Sequence, residues 1–375
     1  MTDGGWSVVV MLTVLVFAPP LWTEETAVKE DAGSAWEKIA TFFKPPEKYA
    51  NDFGAYRSPL LFDDGTPVKT SDDWQRRRKE ILKTWHDLMG PWPELIENPA
   101  LDVVETEHLE TFTRKTVHVE VRPERKIKGY LLVPDGEGPF PAVLVVFYGP
   151  ETGAGIGEPS RCDFGYRLTQ RGFVTLSIGW PAYNPRDLQP LSYLAYAAAN
   201  CHTALAALPE VDGKRIGVVG HSFGGKWAMF ASCLDERFAC AVWCDPGIVW
   251  NEKDPNANYW EPWYLGHDPD HPKRKPGIPT AENPRTGPYA VMVETGRDLH
   301  ELHALMAPRP FLVSGGAQDR PEHWTALNHA IAVNRMLGFE NRVAMTMRDG
   351  HSPTDESTAQ LYAFFEHFLK PTARP

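Results

Sequence analysis

Residues 216–230, IGVVGHSFGGKWAMF, pass from the apolar run Ile216 to Val219 into Gly220, His221, Ser222, Phe223 and Gly224, and then into helical spacing from Gly225 to Cys233. A short apolar run rich in β-branched residues reads as a strand covered on both faces. The G-x-S-x-G that follows it is a strand-to-helix turn, in which flanking glycines let two backbones pass closely and the serine hydroxyl is lifted clear of them. The new helix points its amino end at any oxygen reacting there, which favours negative charge. The G-x-G-x-x-G of a dinucleotide-binding turn is absent from this stretch. Ser222 is therefore the expected nucleophile.

A serine hydroxyl is a weak nucleophile and needs a base, which in turn needs a carboxylate to orient it and stabilise its charged form. In this strand-turn-helix arrangement the chain order is serine, acid, histidine. Downstream, the run Phe311 to Val313 leads into Ser314, Gly315, Gly316, Ala317, Gln318 and Asp319, and the run Val343 to Met347 leads into Asp349, Gly350 and His351. Both sets lie just past strand ends. Among 13 histidines His351 is the expected base. Asp319 is the expected acid, with Asp245 as the alternative, because it too follows a strand, Ala239 to Cys244. Oxyanion donors are expected from the backbone N–H of Phe223 and from the loop after the strand Ala142 to Phe147, at Tyr148 or Gly149, since Pro150 has no N–H.

Outward from these motifs the pattern is regular. From Glu25 to Leu109 the chain reads as helix and loop, with apolar residues at helical spacing from Trp74 to Leu88 beside a basic run, Arg76 to Lys79, taken as a solvated face. Strand-type alternation starts at Thr116 to Val121 and Lys128 to Val133. Strands at Phe173 to Ile178 and in the runs above then alternate with helices at Tyr193 to Leu208, Trp324 to Leu337 and Thr358 to Leu369. Such alternation implies crossover connections and a mostly parallel sheet with helices on both faces, whose ligands bind beyond the carboxyl ends of the strands. The expected organisation is a signal segment at 1–24, a helical lead-in at 25–110 packed on the main domain, and a catalytic domain at 111–375. The stretch at about 246–306 is rich in Trp, Tyr, Pro and His and interrupts the alternation as a cap-like insertion.

Composition narrows the class. With 42% hydrophobic and 23% charged residues the chain is an ordinary globular protein, and a net charge of −11 argues against the phosphate-neutralising surface that nucleic acid requires. Val8 to Ala18 is too short to span a bilayer and precedes Pro19, Pro20 and an acidic stretch from Glu24, the pattern of an export signal, although Met1 to Ser7 carries no basic residue. The implied location is secreted or periplasmic, with no stable membrane partner. Five cysteines, Cys162, Cys201, Cys233, Cys240 and Cys244, contain no C-x-x-C pair and signal neither a zinc cage nor a disulfide framework.

At Gly220 to Lys226, at Ala307 to Asp319 and at Gly350-His351, the chain resembles α/β-hydrolases of the acetyl xylan esterase and dienelactone hydrolase type, over roughly Lys115 to Leu369. It also resembles the glucuronoyl esterases, whose turn reads G-C-S-R-x-G-K; Gly220, Ser222, Gly225 and Lys226 agree, while His221 and Phe223 stand where that family has cysteine and arginine. The resemblance implies the α/β-hydrolase fold and hydrolysis of a carbohydrate ester, small-molecule or polysaccharide, through an acyl-enzyme, with no metal or organic cofactor. It also implies that Lys226, one helical turn beyond Ser222, contacts the sugar. Trp250, Trp260 and Trp263 are further candidates for stacking on sugar rings. A peptidase of the same fold and a catalytically silent binding protein on the same scaffold remain as alternatives.

Overall fold

The computed structural model describes residues 35–158, 160–182, 187–271 and 274–370, so the expected signal segment lies outside the described residues. Among them, strands β1 (Leu101–His108), β2 (Phe112–Arg122), β3 (Arg125–Pro134), β4 (Phe140–Val146), β5 (Val174–Ile178), β6 (Val211–His221), β7 (Cys240–Cys244), β8 (Phe311–Gly315) and β9 (Val343–Met347) make one sheet, ordered β1-β2-β3-β5-β4-β6-β7-β8-β9. The helices are α1 (Ala35–Ile39), α2 (Ser71–Met89), α3 (Pro150–Gly153), α4 (Phe164–Thr169) and α5 (Pro190–Ala206). They continue with α6 (Phe223–Leu234), α7 (Gly287–Glu294), α8 (His300–Ala304), α9 (Trp324–Met336) and α10 (Asp355–Leu369).

The period of two along each strand splits the core into two layers. Ala142, Leu144 and Val146 of β4 join α2, α5 and α6 in one cluster, whereas Val143 and Val145 join α4 and α10 in the other. Trp243 and Val242 of β7 divide in the same way. Both faces are thus covered, and the buried stretches 142–146 of β4, 216–219 of β6, 240–244, 311–313 and 343–345 read as apolar runs because water meets neither side there. From β5 through β4 to β9 every pairing is parallel, while β1, β2 and β3 form an antiparallel flank. This is the α/β-hydrolase fold with a mostly parallel central sheet.

The structure differs from the sequence reading before residue 111, where the lead-in ends in the edge strand β1 rather than in helix and loop. Every residue of β1 after Leu101 is exposed and a bulge interrupts its pairing between Val103 and Glu105, so it has no apolar face to reveal it. The helix in the lead-in does form, as α2, and opens on a capping box in which Thr70 and Asp73 exchange hydrogen bonds. Its basic run is not uniformly solvated. Arg77 is fully buried and pairs with Asp63 at 2.7 Å and Glu80 at 2.9 Å, with Glu301 3.7 Å away. Trp74, Ile81 and Trp85 on the same helix enter the core beside α6, which packs the lead-in on the main domain.

Candidate active site

Strand β6 ends at His221, and the backbone turns at Ser222 with φ 57° and ψ −113° before α6 begins at Phe223. That left-handed conformation is strained for a residue with a side chain. It persists because both flanks are over-determined. A Cβ on Gly220 would lie 2.1 Å from the Gly224 carbonyl oxygen, and one on Gly224 would lie 2.1 Å from the Val146 carbonyl oxygen. The Ser222 N–H donates to the Cys244 carbonyl at 2.8 Å, tying the turn to the end of β7. The first N–H groups of α6, beginning with Phe223, have no intrahelical acceptor and face the turn.

Sheet register brings the other groups to Ser222. His221 pairs with Cys244, so Asp245 stands one position past β7 directly beside the serine. Cys244 pairs with Ser314 and Gly315 with Met347, which carries the line on to the loop after β9. There His351 Nε2 lies 2.8 Å from Ser222 Oγ and Nδ1 lies 2.7 Å from Asp245 Oδ2. Asp245 is fully buried; its Oδ1 accepts the N–H groups of Gln318 at 3.0 Å and Asp319 at 2.9 Å. The carboxylate is therefore held at both oxygens, with one facing the imidazole.

Asp319, the expected acid, does not meet His351. It is buried on the far side of the same loops, where Oδ1 accepts from Ile248 N–H at 2.6 Å and Oδ2 from Gly247 N–H at 3.0 Å, with His323 Nδ1 at 3.4 Å. The reason is topological. After β8 the chain turns tightly, with Gly316 N–H donating to the Asp319 carbonyl at 3.1 Å, so Asp319 folds back toward the loop after β7. The two aspartates interlock, each accepting the backbone N–H groups of the other's loop. The signal in the sequence was the spacing: Asp245 directly follows its strand, whereas Asp319 comes four residues after Gly315.

Lys226 was expected to reach substrate from the face of α6. It is only 3% exposed, and its ammonium donates to the carbonyls of Pro246 and of Asn256, the latter at 3.3 Å. Its Nζ also lies 4.4 Å from the centre of the Tyr259 ring. Burial pulls its pKa down to about 8, although Asp319, Asp245 and Asp254 favour the charged form. The lysine thus ties the helix that follows Ser222 to the loop that carries Asp245.

Exposed aromatic side chains lie on loops beside the turn. Tyr148 is 60% exposed and stacks on Phe223 with ring centres 4.7 Å apart, so the two loops expected to supply oxyanion donors face each other. Its carbonyl accepts from Trp180 N–H at 3.1 Å, and Trp180, just beyond β5, is 58% exposed. Of the three tryptophans named from the sequence, only Trp263 is exposed, at 44%. Trp260 is in the core with its indole donating to Glu261, and Trp250 donates to the Arg297 carbonyl and packs edge-on against Tyr259 and Tyr289. Trp180 was missed although it sits two residues past a strand end, as Tyr148 does. His221 was also missed: its ring centre is 4.6 Å from that of His351, and burial, with His351 and Arg348 nearby, holds its pKa down at about 3. All five cysteines are buried and unbridged.

Solved structures similar to this chain include a glucuronoyl esterase from Solibacter usitatus, at TM-score 0.65 and 20% identity, covering 84% of this chain and 98% of that one. A CE15 glucuronoyl esterase from Teredinibacter turnerae T7901 is similar at TM-score 0.61 and 19% identity, covering 92% and 93%. At these identities the likeness is one of fold. In sequence, 123 residues are 28% identical to acyl-coenzyme A thioesterase 3 of Mus musculus, a stretch that covers 32% of this chain and only 26% of that relative. Residues 158–364, more than half of the chain and carrying Ser222, Asp245 and His351 alike, match the alpha/beta hydrolase family. On its strand order, its strained serine turn and that match, this chain belongs to the alpha/beta hydrolase family.

Proposed function

We propose that this protein is a serine-dependent carboxylic ester hydrolase that cleaves a carbohydrate ester through an acyl-enzyme. The observation that carries this reading is the continuous chain from Ser222 Oγ through His351 to Asp245, with steps of 2.8 and 2.7 Å. Ser222 Oγ attacks the ester carbonyl as His351 Nε2 takes its proton, and Asp245 stabilises the imidazolium formed. The developing oxyanion is met by the Phe223 N–H and by a second N–H from Tyr148 or Gly149. His351 then protonates the departing alcohol. Water, activated by the same imidazole, attacks the acyl-enzyme, and the acid and Ser222 are released.

The carbohydrate part of the reading is supported by the glucuronoyl esterases of the same fold and by three exposed aromatics, Tyr148 stacked on Phe223, Trp180 hydrogen-bonded to the Tyr148 backbone, and Trp263, which meets Phe223 through Tyr264; their flat faces suit stacking on sugar rings. Phe223 stands where an arginine follows the nucleophile in the glucuronoyl esterase motif, so an acetyl ester is carried alongside the glucuronoyl type. A carbohydrate polymer is met outside the cytoplasm, and export is part of the same proposal.

The test is a panel of p-nitrophenyl acetate, acetylated xylan, a glucuronate methyl ester, an acyl-coenzyme A and a peptide amide, run beside fluorophosphonate labelling. Turnover of a sugar ester, with labelling lost in Ser222→Ala, is the expected result. Exclusive turnover of the amide would indicate a peptidase, and folded protein that neither labels nor turns over any substrate would be a silent binding protein.

A further inference from the structure

We propose that Arg348 is the positioning residue that holds His351 over Ser222, an inference that rests on the triad reading above. The loop between β9 and α10 carries His351 without regular structure, and a base held 2.8 Å from its nucleophile needs an anchored backbone. Arg348, the first residue past β9, supplies the anchor with all three guanidinium nitrogens. On one side Nη2 donates to the His351 carbonyl at 2.7 Å and Nε to the Ser352 carbonyl at 3.0 Å. On the other, Nη1 reaches the Ser314 carbonyl at 2.7 Å, with Ser314 Oγ and the Gly315 carbonyl at 3.0 Å each.

The Ser314 carbonyl also accepts the Asp245 N–H, at 3.1 Å. One planar cation therefore joins the backbone of the base to the strand end that pins the backbone of the acid. A lysine could not do this, because a single ammonium has no rigid fork to span two loops. Each guanidinium nitrogen of Arg348 donates to oxygens of these two loops, so the arginine acts through His351 and holds the base in place.

The experiment compares Arg348→Ala, Arg348→Lys and Arg348→Gln with the intact protein for kcat and KM on p-nitrophenyl acetate, fluorophosphonate labelling rate and thermal midpoint. A displacement of His351 by about 1 Å lowers kcat about 10²-fold with KM within about twofold, and the lysine variant falls with the alanine variant. Added guanidinium ion restores turnover in Arg348→Ala at concentrations that leave the intact protein unchanged.

Folded variants with kcat within about twofold of the intact protein would overturn the proposal, as would a lysine variant of full activity, which would reduce Arg348 to a charge. Failure of all three variants to fold would also overturn it, by making Arg348 a tie of the fold alone. An intact protein inert toward esters and probe is a separate result, which removes the triad reading itself.

Discussion

Asp245→Asn separates the two aspartates that the sequence left in competition. In the native site Oδ1 of Asp245 accepts two backbone N–H groups at 3.0 and 2.9 Å while Oδ2 meets His351 Nδ1 at 2.7 Å. An asparagine keeps that shape, but its one oxygen stays with the two backbone donors and its NH₂ turns toward the imidazole. His351 must then carry its proton on Nε2, the tautomer unable to accept one from Ser222. The lost attraction between carboxylate and imidazolium, with charge centres about 4 Å apart at an effective dielectric of about 20, is about 4 kcal/mol, or about 10³ in rate. The wrong tautomer brings the expected loss of kcat to about 10⁴-fold. Asp319→Asn, by contrast, leaves one of two backbone N–H groups facing an amide, which lowers stability by about 1–3 kcal/mol while turnover per folded molecule stays within about tenfold. Turnover of p-nitrophenyl acetate, corrected for the folded fraction by thermal melting, distinguishes the two. The reasoning is refuted if Asp245→Asn keeps more than about a tenth of native turnover while Asp319→Asn loses most of it.

Two further outcomes follow from the same geometry. Gly224→Ala pushes a methyl group to 2.1 Å from the Val146 carbonyl oxygen, a backbone atom that cannot swing aside. The variant is expected to lose several kcal/mol of stability, about 3 or more, and a thermal midpoint equal to the native one would contradict this. Burial holds the folded pKa values of His202 at about 4 and of His221 and His300 at about 3. Each binds a proton in the unfolded chain near 6.5 that it refuses in the folded one, so its contribution is complete above about pH 6.5 and is lost as pH falls toward those lower values. Thermal midpoints should therefore decline steadily below pH 6.5, and a midpoint that is flat or rising from pH 6.5 to 5 would contradict the assignment.

Much of the fold was legible because buried parallel strands announce themselves. The apolar runs at 142–146, 216–219, 240–244, 311–313 and 343–345, each followed by glycine or a polar turn, are covered on both faces and cannot be confused with exposed structure. β1 escaped because an edge strand with no buried face has nothing apolar to display. Trp250, Trp260 and Trp263 look alike in sequence, yet two are committed to packing and one to solvent, since the choice rests on what other segments bring against each ring. The basic run on α2 misled for a related reason: Arg77 is buried where Asp63 and Glu301, from outside the helix, join its i+3 neighbour Glu80 around the guanidinium.

Ser222 and His351, which the structure brings within 2.8 Å of each other, could both be named from sequence alone as the proposed nucleophile and base, since a strand-turn-helix around G-x-S-x-G and a histidine just past a later strand are local patterns. Which aspartate meets the imidazole was not local. It depended on β7 lying immediately beside β6, which sets Asp245 level with the serine, and on the turn after β8, which carries Asp319 back against Gly247 and Ile248. Lys226 was likewise decided by tertiary structure, because the loop from Pro246 to Asn256 closes over its ammonium and turns an apparent surface cation into an internal tie. Local spacing names the residue types a site can use, and the order of strands in the sheet chooses among them.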